Sequence, residues 1–211
     1  MLLPGRCGAC GRAGPSPCGA CRNELVPARS LPAPPQVDRC AALLDYAGVG
    51  REVVARLKYR NARSSLAFLA AGMAALVDPI AVDVVTWVPT TAERRRQRGF
   101  DQSELLARAV ARRLERPCEA LLRRLPGPAQ TGRALAERRR GPAFEARRTR
   151  PTAVARRVLL VDDVVTTGAT VTAAARTLRA AGGASHVQVV AAARTSPRGI
   201  HSSMARVRVC G

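Results

Sequence analysis

Aromatic residues and lysine are what this chain of 211 residues has least of: three Phe, two Tyr, one Trp, and a single lysine, Lys58, among 35 basic residues. So few rings exclude a nucleic-acid surface built mainly on base stacking; any such binding would rest on charge. Long apolar runs are also missing. The longest, Leu66 to Val77, has 12 residues, short of the roughly 20 needed to cross a bilayer, so it reads as a core helix and membrane insertion is not expected. Met1-Leu2-Leu3-Pro4-Gly5 has no apolar core of the signal-peptide kind, so a cytoplasmic location is expected. There disulfides are rare and paired cysteines more often bind metal. No GxxxxGK[ST] occurs, which excludes a P-loop. Acids are scarce too: 15 against 35 basic residues give a net charge of +20 and a pI near 11.6. That balance points to polyanionic partners, nucleic acid or phosphorylated ligands. Codon bias toward G and C would explain arginine replacing lysine, but not the excess over acids.

The length suits one sizeable domain with a small appendage. Cys7-Gly8-Ala9-Cys10 and Cys18-Gly19-Ala20-Cys21 repeat one CxxC knuckle. Four thiolates so spaced match a structural tetrahedral zinc site, with Cys7, Cys10, Cys18 and Cys21 as ligands. A redox CxxC would open a helix in a βαβ unit; Pro and Gly surround these instead. Residues 1–24 are too few to bury a core of their own, and zinc would contribute on the order of 10 kcal/mol to closing them. Pro27, Pro32, Pro34 and Pro35 make residues 25–37 a stiff linker, and residues 38–211 form the larger domain. Cys40, Cys118 and Cys210 read as small core or edge residues.

Within that domain the pattern predicts a strand from Cys40 to Tyr46, helices from Arg51 to Tyr59 and from Ser65 to Val77, and a buried strand from Val84 to Val88. A basic loop follows, then an amphipathic helix from Gln102 to about Glu115 with Leu105, Leu106, Ala109, Val110 and Leu114 on one side. An irregular Arg-rich stretch, 123–157, holds 11 Arg against two acids. Val158 to Val161 is a strand, residues 169–181 a helix and Val187 to Ala193 another strand, with Arg206 to Cys210 as a possible edge strand. Such alternation argues for an α/β fold with a parallel sheet flanked by helices.

The most informative stretch is Val158-Leu159-Leu160-Val161-Asp162-Asp163-Val164-Val165-Thr166-Thr167-Gly168-Ala169-Thr170. Four apolar residues in a row fit a strand buried on both faces, and ligands of parallel sheets bind at the strands' carboxyl ends. There, Thr166, Thr167, Gly168, Ala169 and Thr170 can turn backbone N–H groups and three hydroxyls toward a phosphate at a helix N-terminus. Gly168 allows a backbone conformation that a side chain would block. Asp162 and Asp163 would repel phosphate but accept hydrogen bonds from a sugar diol. The rival reading is a buried turn in which the acids merely cap the helix. Val88-Pro89-Thr90-Thr91 should open on the same sheet edge, ahead of the run Glu93 to Gln102, whose arginines, Arg95 and Arg98 among them, suit phosphate oxygens. A solvated charge run preceding a helix capped by Asp101 is the plainer alternative.

The Asp-Asp-Val-x-Thr-Thr-Gly-Ala-Thr stretch resembles the phosphoribosyl pyrophosphate motif of type I phosphoribosyltransferases. That resemblance places ribose on Asp162 and Asp163, the 5-phosphate on residues 166–170, pyrophosphate at Val88, Pro89 and Thr90 with Arg95, and Mg²⁺ beside them. The CxxC pairs, Leu57-Lys58-Tyr59, the Val-Pro strand end, Arg98-Gly99-Phe100-Asp101-Gln102 and the terminal motif occur in the order found in the ComF family, which the chain resembles over nearly its whole length. The family is phosphoribosyltransferase-like and associated with DNA uptake in natural competence. Departures are Asp101, where Asn is usual, and Gly141, in a shortened stretch around Gln130, Arg138 and Phe144. By this resemblance single-stranded DNA and the uptake machinery become expected partners, and the excess of arginine in residues 123–157 makes that stretch the expected wall of a DNA groove.

Were the site to turn over, the reaction would displace pyrophosphate from ribose C1 through an oxocarbenium-like transition state. Asp162 and Asp163 would steady the ring, Arg98 and Mg²⁺ the leaving group, and Lys58 would contact phosphate or acceptor. Lys58 reads equally well as a snorkelling residue at a helix end. Purine-salvage enzymes resembling the motif often carry an acid at the position of Thr166, so hypoxanthine or guanine as acceptor is disfavoured. A module that senses phosphoribosyl pyrophosphate without turnover is the third reading.

Overall fold

A computed structural model of the chain describes residues 5–57, 63–126, 142–147, 156–181 and 183–196. Lys58, Tyr59, Gln130, Arg138, Gly141, Cys210 and the possible strand from Arg206 to Cys210 lie outside the described residues, as does most of the stretch 123–157.

Described elements run α1 (Gly19–Asn23), β1 (Arg39–Asp45), α2 (Gly48–Arg56), α3 (Leu66–Ala74), β2 (Val84–Trp87), α4 (Ala92–Arg98), α5 (Gln102–Leu114), β3 (Leu122–Arg124), β4 (Phe144–Ala146), β5 (Arg156–Val165), α6 (Ala169–Ala180) and β6 (Ala184–Arg194). Four strands form one parallel sheet in the order β1-β6-β5-β2. This is the expected α/β architecture, a parallel sheet flanked by helices. Alternate residues of the two central strands feed two cores. Leu159, Val161, Val190 and Ala192 pack with Val53, Leu69, Met73, Leu106 and Val110 of α2, α3 and α5. Val158, Leu160, Val189 and Ala191 pack with Val171, Ala174 and Leu178 of α6. Burial on both sides is why β5 reads as a continuous apolar run. Leu159 and Leu160 are wholly buried, each worth about 1.5–3 kcal/mol by area, so truncation to Ala at either would cost about 2–5 kcal/mol.

Two segments differ from the sequence pattern in ways that shape the site. The expected basic loop after β2 is the helix α4. Thr91 Oγ1 accepts from the Arg94 amide at 3.2 Å, Glu93 lies in the first turn and three arginines in the last, and Gly99 ends it at φ 76°. These are the signals of a capped helix, with charges placed to suit its dipole. Within the Arg-rich stretch, β3 and β4 pair antiparallel, Leu122 with Ala146 and Arg124 with Phe144. Leu122 and Phe144 join the α6-side core, which is what fixes this pair despite its charged sequence.

The linker is not a free spacer. Pro27 bridges Leu44 antiparallel, the Asp45 amide donates to Val26 O at 2.8 Å and the Ala28 amide to Leu43 O at 3.1 Å. Farther on, Pro34 is buried. At the other side of the sheet Cys118 bridges Val85, with the Val85 amide donating to Pro117 O at 2.9 Å. Both outer strands thus have part of their free edge paired by a segment next to a proline. The cysteine segment packs on α3: Cys7, Ala9 and Cys21 join the core with Leu66 and Phe68, Arg22 lies 5.4 Å from the Phe68 ring centroid, and Ser16 Oγ is 2.6 Å from Ser65 Oγ. Among the described residues no helix is long and apolar enough to cross a membrane.

Candidate functional site

Because β2 and β5 are parallel neighbours, with Trp87 opposite Val161 and the Val88 amide donating to Val161 O at 3.0 Å, the chain leaves both strands at one sheet edge. A cavity of about 340 Å³ opens there. Val88, Pro89 and Thr90 line one side and Asp162, Asp163, Thr166 and Thr170 the other. Arg94, Arg98 and Arg124, with Tyr46, Gln102 and Ser103, complete it. β5 runs on past the acidic pair to Val165, pairing Asp162 with Ala191 and Val164 with Ala193. The acids are therefore held by a ladder rather than by a loose turn.

Asp162 is buried. Its Oδ1 accepts from Ser103 Oγ at 3.2 Å and from the Asp163 amide at 2.9 Å. Burial, and then the neighbouring Asp163 carboxylate, hold its carboxyl well above the usual range, more than these hydrogen bonds lower it. Desolvation and a like charge both disfavour ionisation; a cation or a sugar diol brought to this pair would reverse that preference. Asp163 is half-buried, and its Oδ1 accepts from the Val164 amide at 2.8 Å. Hard carboxylate oxygens suit Mg²⁺, which binds through one or two carboxylates and keeps several waters; Asp162 and Asp163 are the fitting donors here.

Thr166 and Thr170 face the cavity, whereas Thr167 and Gly168 form the turn that leads into α6 at Ala169. Gly168 sits at φ 81° as N-cap of α6 and has no side chain to cap it, while Thr167 Oγ1 accepts from the Ala169 amide at 3.4 Å. A Cβ at Gly168 would lie 2.8 Å from Pro34 Cγ, so linker and turn are in contact.

Opposite the turn, Asp101 joins loop to helix. Its Oδ2 accepts from the Thr90 amide at 2.8 Å, while Oδ1 accepts from Ser103 N at 3.0 Å and Glu104 N at 3.4 Å. Burial pushes this carboxyl up even though the three amides favour its charge. Arg98 is tied to Gln102 Oε1 at 3.0 Å, and Arg124 lies 5.8 Å from the Phe144 ring centroid. Burial, then the Arg94 charge, lower the Arg124 pKa; an anion in the cavity would offset the Arg94 charge. Arg95 turns away, its guanidinium 3.4 Å from Glu104 Oε2 on α5, and Arg94 takes the lining position instead.

The second cluster is Cys7, Cys10, Cys18 and Cys21, whose sulfurs lie within 4.8 Å of one another. Cys10 and Cys18 sulfurs are 3.7 Å apart, against roughly 3.8 Å for ligands 2.3 Å from a tetrahedral zinc. Amides of Ala9 and Cys18 donate to Cys7 Sγ at 3.5 and 3.3 Å. Burial pushes the Cys7 thiol up, but such backbone hydrogen bonds bring it down to about 6; burial and the neighbouring sulfurs push Cys21 up to about 12. Four thiolates so close need a divalent cation to be charged together, so the donor set fits structural zinc.

No family model matches the chain. Over 146 residues it is 30% identical to the competence protein ComFC of Bacillus subtilis, an alignment covering 67% of this chain and 58% of that protein. The chain is ComF-like. It spans less than two thirds of the curated relative it matches. Among solved structures, the allosteric regulatory enzyme of purine biosynthesis superposes with a TM-score of 0.42 at 26% identity, over 63% of this chain and 26% of that one. The glutamine phosphoribosylpyrophosphate amidotransferase of B. subtilis, complexed with ADP and GMP, gives the same TM-score and identity over 63% and 27%. Superpositions so loose add no weight to the strand order and sheet-edge cavity described above.

In this ComF-like chain, sequence reasoning passed over Tyr46, Arg94, Gln102, Ser103 and Arg124 as cavity residues. Arg94 was legible in principle: once Thr91, Glu93 and Gly99 are read as helix punctuation, the 3.6-residue period sets Arg94 and Arg98 on one face and turns Arg95 a quarter-turn away. Ser103 and Tyr46 reach the cavity only through the tertiary fold, and no local signal marks them.

Proposed function

We propose that this ComF-like protein binds phosphoribosyl pyrophosphate with Mg²⁺ at the edge between β2 and β5, and serves DNA uptake in natural transformation. What carries the reading is the convergence, in one cavity, of an acidic pair, hydroxyls at the start of α6, and Arg94, Arg98 and Arg124. Asp162 and Asp163 would accept from the ribose hydroxyls and hold the metal. Thr166 and Thr170, with the first amides of α6, would take the 5-phosphate. Pyrophosphate would lie by Val88, Pro89 and Thr90, on the side of Arg94 and Arg98, where charge-assisted bonds are worth roughly 1.5–3 kcal/mol each. Bound Mg²⁺ supplies neutralisation of leaving-group charge. If the site is a working phosphoribosyltransferase, the acids steady positive charge developing on the ring, and Asp101 keeps the Thr90 amide in position.

A ligand sensor without turnover is the second reading. It is favoured by the absence, among the described cavity residues, of any carboxylate beyond Asp162 and Asp163 to take up a proton from an acceptor. Single-stranded DNA is a further partner suggested by the net charge of +20. Of the arginines in the proposed groove wall, Arg123, Arg156 and Arg157 already hold Glu145, Glu119 and Asp83. Calorimetric titration with phosphoribosyl pyrophosphate and Mg²⁺, with and without single-stranded DNA, tests the proposal. Binding lost in Asp162→Asn with Asp163→Asn supports it; no heat in either mixture sinks both the enzyme and the sensor. Pyrophosphate release with an acceptor present separates those two. DNA affinity that does not fall with added salt would remove the charge-based DNA reading.

A further inference from the structure

We infer that a second ligand site, separate from the acid-pair cavity, lies between the linker and the edge strand β1 and takes a phosphate monoester of nucleoside-monophosphate size. A cavity of about 380 Å³ opens there, within the range of small-molecule sites. Arg29 from the linker, Arg39 at the start of β1 and Arg194 at the end of β6 line it. None of the three forms an ion pair among the described residues, and Arg194 Nε is buried with no hydrogen-bond partner. The only carboxylate in the lining, Asp38, is already engaged by Arg179, by the Val187 amide at 2.7 Å and by His186 Nδ1 at 3.2 Å. Three arginines therefore line the cavity beside one carboxylate that is shared with Arg179 and His186, and Arg194 holds a buried donor that wants an acceptor. Planar guanidinium forks match phosphate oxygens. Leu31 and Leu76 give the same cavity an apolar wall, which suits the base of a nucleotide better than it suits inorganic phosphate alone.

The two cavities are close but distinct. Tyr46, which lines the first, donates its amide to Arg194 O at 2.8 Å, and Arg194 lines the second. The linker that roofs the second cavity also carries Pro34, which meets Gly168 of the phosphate-loop turn.

The test is calorimetric titration of the full, zinc-loaded chain with AMP, inorganic phosphate and adenosine at physiological ionic strength. AMP should bind at least tenfold more tightly than phosphate, and adenosine should give no heat. Arg29→Ser with Arg39→Ser, two exposed side chains, should weaken AMP tenfold or more with an unchanged melting temperature. Thr166→Val with Thr170→Val, which alters the first cavity alone, should leave in place an AMP-binding event of the same affinity that Arg29→Ser with Arg39→Ser removes. Arg51→Ser with Arg113→Ser, which removes equal charge from exposed helix positions elsewhere, should leave AMP affinity within a factor of two. The inference is overturned if the Arg29/Arg39 pair binds AMP like the parent, if the Arg51/Arg113 pair weakens it equally, or if the threonine pair abolishes binding. AMP carries the 5-phosphoribosyl group proposed for the first cavity, so the Arg29/Arg39 comparison is repeated on the Thr166→Val, Thr170→Val background, where AMP heat that survives and is then lost with Arg29→Ser and Arg39→Ser belongs to the second cavity whether or not the first binds phosphoribosyl pyrophosphate.

Discussion

Replacing Asp162 by Asn should stabilise the empty protein while disabling its site, and the gain should grow with pH in a calculable way. Both hydrogen bonds that Asp162 accepts land on Oδ1, so an Asn carbonyl keeps them, and its amide stands in for the protonated oxygen beside Asp163. The variant imitates the neutral acid that burial and Asp163 favour. Because the folded pKa is raised above the unfolded value of about 3.9, the folded state holds this proton more tightly. Its contribution to stability is full below about pH 4 and is lost as pH rises toward the folded pKa, at about 1.4 kcal/mol per pH unit. Asn carries no such dependence. Urea denaturation of both proteins from about pH 5 to about pH 7 should show the variant gaining on the parent by up to about 2.7 kcal/mol, provided the folded pKa lies above that window. Titrating groups away from the acidic pair, the buried Asp101 and the cysteines included, are common to both and cancel in the difference. A difference flat across that range would refute the reasoning. The variant should also lose Mg²⁺-dependent phosphoribosyl pyrophosphate binding, placing stability and function in opposition at one carboxylate.

Asp101→Ala removes the acceptor for three amides and should cost about 2–3 kcal/mol by urea denaturation, and ligand affinity should fall with it, because Thr90 loses its anchor. Gly168→Ala should destabilise by about 1–3 kcal/mol, with part of the loss recovered in a double variant with Pro34→Gly, measured by thermal melting; no recovery would mean that the Pro34 contact is irrelevant. Metal analysis should find one zinc per chain, released by a mercurial, and Cys10→Ser should lower both zinc content and melting temperature. Leu160→Ala should cost about 2–5 kcal/mol, since that side chain is fully buried among β2, β5 and α6 neighbours.

The main-sheet strands and most of the helices could be read from period and apolar runs, because parallel strands buried on both sides leave a strong compositional trace. So could the acidic pair, the threonine turn and the four cysteines, whose chemistry is local. Boundaries were less legible: β5 extends through Asp162 to Val165 because the ladder to β6 continues, and a carboxylate in sequence looks like an end. Reading Glu93 to Arg98 as a loop hid which arginine faces the cavity. Arg124 and the β3–β4 pair were not legible at all, since their placement depends on Leu122 and Phe144 finding the α6-side core across a stretch dominated by charge.

The partial pairing of both outer strands, at Pro27 against Leu44 and at Cys118 against Val85, bears on how another macromolecule can approach. A sheet with bare edges invites a visiting strand to hydrogen-bond onto it. Here each flank already has a tenant beside a proline, which has no amide proton to offer. Association by strand addition is thereby disfavoured, and recognition falls to the arginine-bearing surfaces and the open ends of the sheet, where it answers to salt.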